Sequence, residues 1–159
     1  MNRIAALILL SSIFGFSVAP AKSSELRVSV SNGSNVLVVN EAGRRVYSLN
    51  QNISQYKVNC LKSRILVFGA PKNISSNAPQ VAYISLIDVK NKKVLYSGIL
   101  GSGVREARYP KSGEWALIHT NLAFFISLKN GNRKYADELY DPETFSEETC
   151  EEMPVVNVK

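Results

Sequence analysis

The sequence predicts a mainly β fold of antiparallel hairpins in an open, propeller-like or sandwich arrangement, with a short C-terminal helix. Residues 35–49 (NVLVVNEAGRRVYSL), 82–99 (AYISLIDVKNKKVLYSGI) and 124–137 (FFISLKNGNRKYAD) share one plan. Each is a β-branched or aromatic run, a polar turn, and a second run carrying Tyr, which is a hairpin signature. A fourth hairpin joins 56–61 to 65–69, with Lys62-Ser63 near its turn. Strand–turn–strand repeats suit propeller blades, but the spacing is irregular and the chain is too short for a closed ring. The helix signal is Asp141-Pro142-Glu143, an N-cap followed by proline at the first helical position, and the helix is expected to end near Cys150.

The N-terminus reads as a targeting segment. Arg3 supplies a positive start, residues 4–18 form an apolar run, and Ala19-Pro20-Ala21 gives a small-x-small cleavage pattern. Cleavage after residue 21 would leave a mature chain starting at Lys22, exported to the periplasm or beyond. The run is short for a membrane span and no second one follows, so no stable membrane insertion is expected. Sequons at Asn32, Asn52 and Asn73 suit chance in a chain rich in Asn and Ser. Residues 22–159 fit one domain, long enough to bury a real core.

Cys60 and Cys150 are the only cysteines. In an oxidising compartment an even count favours a disulfide tying the middle of the domain to its C-terminal segment. The alternative is a thiol nucleophile, for which His119 is the one histidine available and no protease signature is present. Charge is uneven. From Lys22 to Lys134 there are 17 Lys and Arg against five Asp and Glu, whereas residues 137–152 hold eight acids and no base. The acidic segment either lies on the basic body or leaves a basic face for an acidic partner. Nucleic acid is a poor fit, because the basic residues are scattered and no nucleic-acid-binding motif appears.

Residues 98–115 (GILGSGVREARYPKSGEW) interrupt the strand pattern. They carry Gly98, Gly101, Gly103, Gly113, Pro110 and the cations Arg105, Arg108 and Lys111, with Ser102 set between two glycines. Glycine and proline weaken strand and helix interiors, so an irregular loop is expected. A long loop in a compact domain is either a plain connection or a functional element.

Catalytic patterns are missing: no GxSxG, HExxH, CxxC, P-loop or dinucleotide fingerprint occurs. His119 lies in the apolar run ALIHTNLAFF and suits a structural role, and a lone histidine does not supply a usual zinc site. Asp88, ahead of a hairpin turn, suits local backbone bonding. The expectation is a binding protein without cofactor or metal, not an enzyme.

The signal peptide, the compact β-rich mature domain and the small-residue loop Gly101-Ser102-Gly103 together resemble periplasmic immunity proteins that neutralise type VI secretion peptidoglycan amidases. In one branch of that family such a loop enters the amidase cleft and its serine bonds the catalytic histidine. The resemblance implies that Ser102 is the plug residue and that a peptidoglycan amidase effector is the partner. Val104, Arg105, Arg108 and Tyr109 would supply apolar, cationic and aromatic contacts of the kind found at interface centres. Two other functions remain open. One is inhibition of a lysozyme-type glycosidase, and the other is a non-catalytic envelope assembly subunit.

Overall fold

Tight polar turns set the topology. The structure, a computed structural model, describes residues 25–31, 35–41, 43–73, 80–111, 113–136, 146–147 and 156–157, with the backbone alone at 41 and 156–157. The N-terminal sheet has the order β1 (Arg27–Val30), β2 (Val36–Glu41), β3 (Gly43–Ser48). The central sheet runs β4 (Gln51–Val58), β5 (Arg64–Pro71), β6 (Ala82–Asp88), β7 (Lys93–Leu100). The C-terminal sheet contains β8 (Glu106–Arg108), β9 (Trp115–His119), β10 (Ala123–Ser127) and β11 (Arg133–Tyr135), also in chain sequence. A final strand, β12 (Val156–Asn157), pairs with the outer edge of β4. All pairings are antiparallel and the three sheets stay open among the described residues.

The four expected hairpins are β2–β3, β4–β5, β6–β7 and β10–β11. Asn59 builds the β4–β5 turn: its side-chain oxygen accepts from Ser63 N at 2.8 Å and Arg64 N at 2.7 Å. That is the local bonding for which asparagine is favoured in turns. Asp88 does the same work at the β6–β7 turn, accepting from Asn91 N at 2.9 Å and Asn91 Nδ2 at 2.8 Å.

The central sheet is covered on both faces. Ile65, Val67 and Ile87 pack with Leu37 and Val39 of the N-terminal sheet. Leu66, Phe68, Ile84 and Leu86 pack with Ile118, Phe124 and Ile126 of the C-terminal sheet. This explains why β5 and β6 read as continuous apolar runs while β1 and β3 alternate, since a strand buried on both faces has no polar side. Gly69 sits beside an irregularity in β4 between Ile53 and Gln55, where a Cβ would collide with the Asn52 carbonyl. Only glycine lets the two backbones come that close.

The C-terminal helix expected from Asp141-Pro142-Glu143 does not appear: there is no helix among the described residues. Inside that span, Glu147 forms an antiparallel bridge with Pro110, and Lys111 N donates to Ser146 O at 3.1 Å. Tertiary pairing with Pro110 and Lys111 holds the backbone extended at Ser146 and Glu147. Residues 141–145 and 148–150 lie outside the described residues, as do the targeting segment and Cys150. Cys60 is disulfide-bonded.

Candidate functional site

The irregular stretch is shorter than its composition implies. Gly98 to Leu100 complete β7 and Glu106 to Arg108 form β8, so the true loop is 101–105. Gly101, Gly103 and Arg105 are exposed, while Ser102 and Val104 are half-buried, Val104 against the C-terminal core. Neither Gly101 nor Gly103 has a left-handed φ, and a Cβ at either position would meet no atom within 4 Å.

The loop is fastened to the β9–β10 turn. Arg105 N donates to His119 O at 2.8 Å, and Arg105 Nη2 donates to Asn121 Oδ1 at 3.1 Å. Asn121 N donates to the Ser102 hydroxyl oxygen at 3.3 Å. Ser102 thereby uses an acceptor site internally, and its hydroxyl hydrogen has no acceptor among the described residues. Thr120 closes the turn, its hydroxyl donating to Leu122 O at 2.8 Å. The loop forms one wall of a cleft of about 560 Å³, faced by Ser54, Gln55 and Gln80 over an apolar floor at Phe68 and Ala82. Among the described residues no carboxylate lines this cleft, and Arg105 is the one charged side chain in its lining.

The other expected contact residues divide. Arg108, on β8, is half-buried and its Nε lies 2.6 Å from the Glu106 carboxylate. Tyr109 is a correction. It is 1% exposed inside the C-terminal core, and its hydroxyl donates to Lys57 O at 3.2 Å. An aromatic ring that completes a core cannot also serve as a surface anchor. Gly101, Ser102, Gly103, Val104 and Arg105 are therefore brought together, with Arg108 one strand further on and Tyr109 inside.

Lys57 joins several parts of the chain. Its Nζ donates to Ala107 O at 3.0 Å and pairs with the Glu147 carboxylate, so at Glu147 the acidic segment lies on the basic body. Asn121 is the site residue that sequence reasoning missed. Its signal was the polar pair Thr120-Asn121 within ALIHTNLAFF, which breaks the apolar run into two strands. His119 closes β9, half-buried, with its carbonyl engaged by Arg105. No group of three or more His, Cys, Asp or Glu side chains that could hold a metal ion occurs among the described residues. No protein-family model matches this chain, and no curated protein matches it.

Proposed function

We propose that this chain is an exported, periplasmic immunity protein that binds a type VI secretion peptidoglycan amidase and occludes its active-site cleft, with no turnover of its own. One observation carries the reading: Ser102 stands between two exposed glycines that the fold does not require. Neither position has a strained φ or a crowded Cβ, so internal packing does not explain the missing side chains. Close approach of an outside body does. The scaffold behind the loop is an open stack of successive antiparallel meanders, propeller-like in sequence and sandwich-like in packing.

Occlusion follows from the loop's chemistry. Ser102 offers its hydroxyl hydrogen to an unprotonated nitrogen of the partner's catalytic imidazole. Gly101 and Gly103 keep the tip narrow, Val104 braces it from the core, and Arg105 meets acidic groups at the cleft mouth. The Asn121 contacts hold this arrangement before binding, which lowers the ordering cost of association.

The test is inhibition. Mature protein captures its enzyme from the producer's periplasmic and secreted fractions, and the pair is assayed on peptidoglycan. Wild type is expected to stop an amidase, and Ser102→Trp is expected to fail at an unchanged melting temperature. Full inhibition by Ser102→Trp would remove the loop from the mechanism. Capture of a glycosidase would support the lysozyme-inhibitor reading, and absence of any enzyme would support an assembly subunit.

A further inference from the structure

Antiparallel topology places the β4–β5, β6–β7 and β10–β11 turns at one end of the molecule, opposite the 101–105 loop. Hydrogen bonds join these turns. Val89 N donates to Ser63 O at 3.0 Å, and Arg64 Nε donates to Leu128 O at 2.6 Å. Exposed on the joined turns are Lys62, Lys90, Lys92 and Lys129, with Lys93 beside them at the start of β7. The acids there do little to offset this charge. Among the described residues, Asp88 is 1% exposed and lies 3.1 Å from Arg64 Nη1, and Glu114 is the exposed carboxylate that shares a cavity lining with Lys129.

Two details argue against a merely solvated surface. Lys62 and Lys92 are the described non-glycine residues with positive φ, at 55° and 62°. Such positions favour Gly or Asn, yet both carry lysine. Next to Lys62, Leu61 projects from the turn tip at 78% exposure, the highest value among the exposed large hydrophobic residues. A cavity of about 610 Å³ opens between these turns, with Leu61 and Lys129 in its lining, but Leu61 stands mostly in solvent and the lysines are exposed around the turns. This arrangement fits a soft interface with phosphate outside and hydrocarbon beneath.

We propose that this end docks on an anionic phospholipid surface, with the lysines against lipid phosphates and Leu61 entering the interface. The reading is independent of the loop site, which then points away from the membrane. It is tested by co-sedimentation with phosphatidylglycerol–phosphatidylcholine vesicles against phosphatidylcholine alone, at low and high salt. Binding is expected on the anionic vesicles only and is expected to vanish at high salt. Lys90→Gln with Lys129→Gln should weaken it about 25-fold, at roughly fivefold per lysine. Leu61→Ser should weaken it about tenfold. Lys72→Gln removes one charge at the far end of β5 and should leave it unchanged. Failure to bind anionic vesicles, equal loss per charge in Lys72→Gln and the double variant, or binding of soluble polyphosphate without vesicle binding would each overturn the proposal. Thermal melts establish that every variant is folded.

Discussion

Asn121 donates its backbone N–H to the Ser102 hydroxyl oxygen across 3.3 Å, joining two loops that lie 19 residues apart in the chain. A side chain that helps hold its own loop, and whose hydroxyl hydrogen has no acceptor among the described residues, is tuned for a small, directional contact. Ser102→Ala should therefore cost under about 1.5 kcal/mol in partner affinity, the net value of one neutral hydrogen bond. Ser102→Trp should cost more than a hundredfold in Kd, because bulk cannot enter a narrow cleft. Isothermal titration against the captured partner measures both, and near-equal affinities would show that the tip stays outside.

Tyr109 separates core from interface. Tyr109→Ala should lower unfolding free energy by about 3–5 kcal/mol, the usual cost of emptying a buried aromatic site. Tyr109→Phe should cost about 1 kcal/mol, for the lost bond to the Lys57 carbonyl. Urea denaturation reads both. A stable Tyr109→Ala protein with impaired partner binding would return this residue to the surface.

The Asp88 carboxyl gives the fold a dependence on acid. Burial pushes its pKa up, but the Asn91 backbone and side-chain bonds and the charges of Arg64 and Lys93 outweigh that and leave it lowered. A lowered folded value stabilises the protein above the unfolded aspartate range near about 3.9, and that stability is lost as pH falls through the folded value. Asp88→Asn should cost about 2 kcal/mol at neutral pH, because it removes the carboxylate that pairs with Arg64 and accepts from Asn91, while Arg64 keeps its bond to the Leu128 carbonyl. The gap between wild type and variant should narrow below about pH 4. Melting temperatures across pH test this, and a gap that widens in acid would refute it.

Cys60 is disulfide-bonded, so the non-reduced protein should show no free thiol and a mass two hydrogens below the dithiol form. Reduction should lower stability by up to about 4–5 kcal/mol for so long an enclosed loop. A thiol titration in denaturant, with and without reductant, measures the first. A urea midpoint unmoved by reductant would deny the second.

The hairpins were legible because turn chemistry is local: Asn59, Asp88 and Asn130-Gly131 each act within a few residues of themselves. Residues 98–115 were legible only in part. Their glycines and proline describe a chain that resists regular structure, yet β8 forms because β9 pairs with it. The burial of Tyr109 depends on Lys57, 52 residues away, and no nearby residue announces it. The backbone at Ser146 and Glu147 pairs with Lys111 and Pro110, contacts that no local signal near residue 141 reports. Of the candidate site, Gly101 to Arg105 could be read from composition, whereas Asn121 needed the fold.

The double burial of β5 and β6 bears on how the chain can be divided. A central sheet with two apolar faces has no solvent side to fall back on, so removing either flanking sheet would bare Leu66 and Ile84 or Ile65 and Ile87. Neither outer sheet can then be trimmed without baring that apolar face, and the three sheets should unfold in one cooperative step. Amide protons of β5 and β6 would exchange last, released only when both layers come away together.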